Sequence, residues 1–143
     1  MNKSWIANGF TAANALFGGL SIMMSISGEY HVAAICILIA MAADAFDGKV
    51  ARALGTAGPM GVELDSLSDD ISFGVAAGAL MYSYQLRELG ALGFIPCALL
   101  GAFCAFRLAR FNVKVTSVHG YFEGLPCPTV GVIIACYVLS GVK

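Results

Sequence analysis

The chain has 143 residues, of which 59% are hydrophobic and only 12% are charged. Soluble domains carry about 25% charged residues, so this composition excludes an ordinary soluble domain and predicts an integral membrane protein. The net charge is −1 and no basic run occurs, which argues against a nucleic-acid partner. The five cysteines are scattered in apolar stretches without a C-x-x-C spacing, which is typical of buried thiols rather than of metal ligands or disulfides.

Five apolar segments follow one another, each near the ~20 residues that a helix needs to cross the hydrocarbon core of a bilayer. They cover residues 9–27, 31–54, 60–84, 90–114 and 126–142. The connections between them are short, and no repeat, low-complexity tract or second domain is visible. We therefore expect an all-α fold, a polytopic transmembrane bundle of five helices that forms a single domain over residues 1–143.

The first segment carries polar residues at three-residue spacing, Asn8, Thr11 and Asn14, followed by Gly18 and Gly19. This spacing places the polar groups on one face of a helix. One interpretation is a helix cap followed by a seam of small residues that packs against another helix. The other interpretation is a set of groups that binds a ligand.

The second and third segments meet at residues 55–59, where glycine and proline predict a tight turn between two antiparallel helices. Asp47 and Asp65 lie at equal distances from the centre of this turn. Asp44 shares a helix face with Asp47, as Asp69 does with Asp65. The four carboxylates should therefore converge at one level, roughly 13–18 Å from the turn.

Four carboxylates in an apolar bundle need a counter-charge, because ionised groups are costly at membrane depth. Oxygen ligands without nearby His or Cys favour Mg²⁺, Mn²⁺ or Ca²⁺. Gly48 and Gly61 would let a ligand approach the backbone, and Arg52 offers a fork for phosphate. Salt bridges to Lys49 and Arg52 are the alternative, but two cations cannot balance four anions. This pattern predicts a divalent-metal site for a phosphate-bearing substrate.

Two further acidic residues lie next to this set in the sequence. Glu63 and Asp70 should point roughly 100–200° away from the four aspartates on a helix, so we leave both out of the metal site. We expect Glu63 to complement the N-terminus of its helix and Asp70 to have a partner on another helix.

The fourth segment ends in a basic stripe, with Arg107, Arg110 and Lys114 at positions i, i+3 and i+7. Such side chains either reach to the membrane surface and set the topology or bind an anion, for which arginine offers bidentate geometry. Six cationic residues fall on one side of the membrane: Lys3, Lys49, Arg52, Arg107, Arg110 and Lys114. Only Arg87 and Lys143 fall on the other, so the positive-inside rule puts the Asp-rich turn in the cytoplasm.

The acidic hairpin resembles a known family signature. Its pattern is Asp44-x2-Asp47-Gly48-x2-Ala51-Arg52-x8-Gly61-x3-Asp65-x3-Asp69. Every fixed position matches the signature of the CDP-alcohol phosphotransferases. Residues 65–74, 106–112 and 122–128 look like the branch of that family whose acceptor is L-serine.

The resemblance implies an enzyme that transfers the phosphatidyl group of CDP-diacylglycerol to the hydroxyl of L-serine, giving phosphatidylserine and CMP. It implies a site with two divalent ions, Mg²⁺ or Mn²⁺, in a multi-pass protein of the cell membrane whose active site faces the cytoplasm. It also implies a homodimer in the lipid bilayer. The family core has six transmembrane helices, so we expect the sequence to be truncated at its C-terminus.

The resemblance also assigns roles to individual residues. The metal ligands would be Asp44, Asp47, Asp65 and Asp69, and Asp69 would also be the base that takes the serine proton. The CDP moiety would contact Asn8, Thr11, Gly48, Ala51, Arg52 and Gly61. The serine carboxylate, or the acceptor side more generally, would contact Arg107 and Arg110.

Three alternatives remain open. The acceptor could be glycerol phosphate or inositol phosphate, since a basic stripe suits any anionic acceptor, or the lipid could be an archaeal ether lipid. A small cation channel or transporter could also line its pathway with four aspartates. That interpretation leaves Gly48, Arg52 and Gly61 unexplained.

Overall fold

A computed structural model describes residues 4–55, 58–114 and 126–142, apart from the side chains of Ser4, Ala7 and Lys114. The chain in these ranges is helical and contains no strand. The α-helices are α1 (Ser4–Ile26), α2 (Tyr30–Leu54), α3 (Pro59–Asp69), α4 (Ala76–Tyr84), α5 (Ala91–Lys114) and α6 (Cys127–Leu139). A π-helical segment, Asp70–Val75, joins α3 to α4, and a short 3₁₀ turn, Leu86–Leu89, precedes α5.

The five predicted helical segments are confirmed, with ends that agree within a few residues. Gly55 ends α2 with φ of 63°, a left-handed conformation that suits glycine, and Pro59 opens α3 as its first residue. The predicted turn therefore separates α2 from α3, although residues 56 and 57 lie outside the described ranges. The third segment runs from α3 through the π segment into α4 as one continuous rod.

The sequence did not predict the π segment. A π turn spans i to i+5 and is wider than an α turn, so its neighbours must leave room for it. Glycines stand opposite three consecutive π residues: Gly18 of α1 faces Ser72, Gly131 of α6 faces Phe73, and Gly101 of α5 faces Gly74. The wide turn therefore fits among three helices whose contacting positions lack side chains.

The π segment is also the centre of the bundle, since it contacts all six α-helices. Phe73 is 1% exposed and belongs to the main apolar cluster together with Ile37, Leu80 and Val138. Helix α1 packs along α2, and α6 packs against both α2 and the π segment. This arrangement places the ends of α1, α2 and α3 together on the side where the acidic residues lie.

The outer surface of the described chain is apolar, as a membrane protein requires. Helices α1, α2 and α5 each contain a stretch that is long and apolar enough to cross a bilayer, namely Asn8–Ile26, Tyr30–Leu54 and Ala91–Val113. Leu16, Phe103 and Phe106 are each more than half exposed. Large exposed apolar surfaces of this kind mark contact with another apolar phase and fit a membrane protein.

Helix α4 packs on α5 so closely that one glycine is needed. A Cβ atom at Gly78 would lie 2.6 Å from the carbonyl oxygen of Cys97, which belongs to the α5 backbone. We expect Gly78→Ala to separate the two helices, at a cost of about 1–3 kcal/mol, and to lower the melting temperature of the detergent-solubilised protein.

Gly19→Ala is the matched control, since a Cβ at Gly19 meets nothing within 4 Å. It should leave the melting temperature unchanged or raise it, because alanine has the better helix propensity. Equal melting temperatures for the two variants would contradict the close packing of α4 on α5.

Candidate functional site

Three of the four predicted aspartates form one compact group. Asp44 and Asp47 on α2 and Asp65 on α3 each offer a carboxylate oxygen, and these oxygens lie within 4.8 Å of one another. The hairpin spacing predicts that these residues of two helices converge, and their oxygens do come together. We call Asp44, Asp47 and Asp65 the acidic cluster.

Asp69 lies beside the acidic cluster but is not part of the compact group. Its carboxylate contacts that of Asp44, and it is 8% exposed. It also accepts a hydrogen bond from Asn14 Nδ2, with a donor–acceptor distance of 3.0 Å. Asp69 therefore has a side-chain donor on α1.

Helix α1 supplies the hydrogen-bond donors of the site. Thr11 Oγ1 donates to Asp47 Oδ2 at 2.8 Å, one helical turn before the Asn14 contact with Asp69. Ser72, from the π segment, donates to Asn14, with its Oγ atom 2.7 Å from Asn14 Oδ1 and 2.9 Å from the Asn14 carbonyl oxygen. Thr11, Asn14 and Ser72 are all buried.

The residues present fit a divalent cation. Asp65 Oδ1 is buried and has no hydrogen-bond partner among the described residues, and such an orphaned acceptor is costly unless something compensates it. The donors from Thr11 and Asn14 supply only two hydrogen bonds to four carboxylates. A set of carboxylate oxygens at this spacing suits Mg²⁺ or Mn²⁺.

The alternative of salt bridges along the hairpin gains no support. Arg52 is exposed, and its Nε atom donates to the carbonyl oxygen of Gly48 at 2.9 Å, one turn back on its own helix. Lys49 is exposed as well. Both cationic side chains are therefore exposed on α2.

The residues predicted to bind CDP lie on α1, α2 and α3, the three helices that carry the acidic cluster and its donors. Asn8 Oδ1 lies 3.8 Å from the position that a Cβ of Gly61 would take, so α1 and α3 meet there. Ala51 and Gly48 are partly buried on α2, where the Arg52 side chain lies against Gly48. Thr11 differs from the rest, because its hydroxyl is engaged by Asp47.

The two predicted acceptor residues have different surroundings on α5. Arg107 is partly buried, and its Nη1 atom lies 3.7 Å from the sulfur of Cys127 at the start of α6. Arg110 is exposed. Asn112 Nδ2 donates to Ser66 Oγ at 2.9 Å and so ties this end of α5 to α3, next to Asp65. The likeness at residues 122–125 lies outside the described ranges.

The two acidic residues that the sequence analysis left out of the site also lie outside the acidic cluster, but Glu63 is not in the first turn of α3, so its expected role at the helix N-terminus is not supported. Glu63 is exposed, and Asp70 turns to α5, where it contacts the side chain of Cys104. Neither joins the acidic cluster.

Ser72 received no role from the sequence, and Asn14 was named only as part of the polar stripe of the first segment. Asn14 stands in the polar stripe of the first segment, so the three-residue spacing was a usable signal. Ser72 lies in an apolar run and gave no signal by itself. Its importance comes from the π segment, which carries it against α1.

The chain belongs to the CDP-alcohol phosphatidyltransferase family, whose sequence profile matches residues 4–142. The matched range contains the acidic cluster, Asp69 and the basic end of α5. The resemblance read from the hairpin pattern is therefore confirmed at the level of the family.

Curated relatives carry more specific names. A Helicobacter pylori protein named CDP-diacylglycerol–serine O-phosphatidyltransferase is 37% identical over 133 residues, which cover 92% of this chain and 56% of that protein. A Bacillus subtilis protein of the same name is 37% identical over 125 residues, or 87% and 70% of the two chains. An archaetidylserine synthase from Methanothermobacter thermautotrophicus is 40% identical over 130 residues, or 90% and 55%.

The chain spans just over half the length of the Helicobacter and Methanothermobacter relatives that it matches. No solved structure matches it. The activity of the whole relatives therefore enters below as a proposal.

The crowding of carboxylates predicts that the site destabilises the metal-free protein. In EDTA, Asp65→Asn removes one negative charge from the acidic cluster and gives the orphaned position an amide that can donate to Asp44 or Asp47. We expect the melting temperature to rise by about 3 °C, the shift that roughly 1 kcal/mol gives in a domain of this size.

Glu63→Gln on the same helix is the control for this measurement, because Glu63 is exposed and outside the cluster. Its melting temperature in EDTA should equal that of the wild type. If Asp65→Asn melts at or below the wild-type temperature in EDTA, repulsion within the cluster is not a cost of this fold.

Proposed function

We propose that this chain transfers the phosphatidyl group of CDP-diacylglycerol to the hydroxyl of L-serine, giving phosphatidylserine and CMP. The proposal rests on the acidic cluster with Asp69 beside it, in a chain that belongs to the CDP-alcohol phosphatidyltransferase family. Relatives named CDP-diacylglycerol–serine O-phosphatidyltransferase support the choice of lipid and acceptor.

The acidic cluster would hold the divalent ion of this reaction. Asp44, Asp47 and Asp65 provide the ligand oxygens, and the orphaned Oδ1 of Asp65 is one of them. When bound, Mg²⁺ or Mn²⁺ neutralises the pyrophosphate and stabilises the charge that develops on the leaving CMP. A second ion, as the family resemblance implies, would draw on Asp69 as a further ligand.

Asp69 would act as the general base. It takes the proton of the serine hydroxyl while the serine oxygen forms a bond to the phosphorus that carries the diacylglycerol. The bond from that phosphorus to the bridging oxygen of the pyrophosphate breaks, and CMP leaves with the electron pair. Asp69 lies beside the acidic cluster rather than inside it, which suits this role.

The walls around the cluster would bind the CDP moiety. Gly48 and Gly61 have no side chain to block the approach of a phosphate to α2 and α3. The exposed Arg52 has further guanidinium donors beyond the one that reaches Gly48, and it can present them to a phosphate. Asn8 and Ala51 complete this surface, and Thr11 contributes through Asp47.

The acceptor would lie toward the end of α5. Arg107 and Arg110 offer guanidinium groups for the serine carboxylate. Arg107 is the better placed of the two, because it is partly buried and is positioned by Cys127. The hydrogen bond from Asn112 to Ser66 keeps this part of α5 next to the acidic cluster.

The setting we propose is a multi-pass protein of the cell membrane, working as a homodimer of a single domain over residues 1–143. The positive-inside rule puts the site on the cytoplasmic face, where nucleotides and serine are supplied. The acyl chains of the lipid substrate would enter from the bilayer along the apolar outer surface.

An ether-linked lipid is the second candidate substrate. One relative of 40% identity is named archaetidylserine synthase. The acidic cluster contacts only the phosphates in either case, so the same site chemistry serves both lipids.

The reaction is tested by CMP release from the purified chain with CDP-diacylglycerol and Mn²⁺. We expect release that depends on L-serine, not on glycerol 3-phosphate or inositol phosphate, and that stops in EDTA. Asp69→Asn should lower turnover by at least about 100-fold, the range of lost general-base catalysis, with an unchanged melting temperature.

Release with another acceptor would keep the family chemistry and overturn serine as the substrate. Substantial activity in Asp69→Asn would overturn the base assignment. Cation flux through vesicles without any CMP release would favour the channel interpretation.

The acceptor site is tested separately with Arg107→Gln. Loss of a charged hydrogen bond should raise KM for serine by about tenfold or more, with a smaller change in KM for CDP-diacylglycerol. Arg87→Gln is the control, since Arg87 is exposed in the 3₁₀ turn at the other end of the α3–α4 rod. An unchanged KM for serine in Arg107→Gln would place the acceptor elsewhere.

A further inference from the structure

Asn14 and Ser72 are buried polar residues for which the proposed reaction has no role. Both are 0% exposed, and Asp69 is nearly so. They form a continuous chain of hydrogen bonds, from Ser72 Oγ to Asn14 Oδ1 and from Asn14 Nδ2 to Asp69 Oδ1. Buried polar groups are costly unless they are satisfied, and here each member satisfies the next.

The order of donors fixes the orientation of the Asn14 amide. An ionised carboxylate only accepts hydrogen bonds, so it needs the NH₂ end of Asn14 and is repelled by the oxygen end. The Ser72 hydroxyl donates to the oxygen end and so supports the orientation in which the NH₂ group faces Asp69. Ser72 thus acts on Asp69 without touching it.

A glycine makes this contact possible. A Cβ atom at Gly18 would collide with Ser72 Oγ and would lie 2.9 Å from the Ser72 Cα atom. Because the second of these is backbone, a side chain at Gly18 would push the π segment away from α1. Gly19, the next residue, has nothing within 4 Å of its Cβ position.

The two side-chain donors on α1 therefore serve different residues. Thr11 donates to Asp47, which belongs to the acidic cluster. Asn14 donates to Asp69, which lies outside it. One donor serves the group that would hold the ion, and the other serves the residue that would take the proton.

We propose that Ser72 and Asn14 are positioning residues that orient the Asp69 carboxylate toward the acceptor hydroxyl, and that Gly18 provides the clearance that lets Ser72 reach Asn14. This inference rests on the proposed function. Asn14 engages Oδ1 of Asp69 and leaves Oδ2 to accept the proton. Without the pair, the carboxylate turns about its last side-chain bond and loses that alignment.

The test compares turnover with metal binding in the purified full chain. CMP release gives kcat and KM, and electron paramagnetic resonance gives Mn²⁺ affinity without substrates. We expect Ser72→Ala and Asn14→Ala to lower kcat by about tenfold or more, the range for groups that support a functional residue. Mn²⁺ affinity and KM for CDP-diacylglycerol should stay within about twofold, whereas Thr11→Val should weaken Mn²⁺ binding.

A double-mutant cycle tests whether the two residues act as one unit. The combined Ser72→Ala and Asn14→Ala variant should be no slower than Asn14→Ala alone, since Ser72 works only through Asn14. Gly18→Ala should reproduce the loss of Ser72→Ala, and Gly19→Ala should keep wild-type kcat. These two glycine variants keep every polar group, so they still test the positioning role if Asn14→Ala fails to fold.

Several results would overturn the positioning role. They are wild-type kcat in Ser72→Ala, losses that multiply in the double variant, equal behaviour of Gly18→Ala and Gly19→Ala, or a parallel fall of Mn²⁺ affinity and kcat. An active wild type with any of these outcomes overturns the positioning role alone. A wild type without CMP release overturns the proposed function as well.

Discussion

The structure depends on the burial of four carboxylates at one level of an apolar helical bundle. Negative charges this close repel one another, and the surrounding helices give them little water. Asp44 and Asp47 on α2 and Asp65 on α3 nevertheless lie close together, and α1 packs against both helices. The orphaned oxygen of Asp65 shows that the protein alone does not complete the site. A divalent cation, as proposed above, would resolve this imbalance.

The rest of the bundle serves to hold and separate these charges. Two side chains of α1 donate hydrogen bonds to these carboxylates, the Thr11 hydroxyl to Asp47 and the Asn14 amide to Asp69. The π segment sits in contact with every α-helix, and its width is accommodated by glycines on three neighbours. Helices α5 and α6 bring Arg107 to the same end of the molecule. In the proposed reaction, α2 and α3 would hold the ion, Asp69 of α3 would accept the proton, and α5 would bind the acceptor.

This division agrees with the family to which the chain belongs and with the names of its relatives. Those relatives include both diacyl and archaeal lipid enzymes by name. The buried groups of the site would meet only phosphates, the proton and the acceptor. The lipid tails would contact the apolar outer surface, where Leu16 and Phe103 are exposed. Such apolar contacts depend less on the exact chemistry of the lipid.

The sequence by itself determined the class, the number of helices and the level of the carboxylates. Apolar segment length sets the helices, and equal distances from the turn set the depth of Asp47 and Asp65, because rise per residue in a helix is constant. Only the tertiary structure decided that Asp69 lies beside the cluster and that Asn14 and Ser72 serve it. Those contacts join residues that are 55 and 58 positions apart, and they depend on how α1 docks against a π turn. Helical periodicity describes one helix at a time, so it carries no information about that docking.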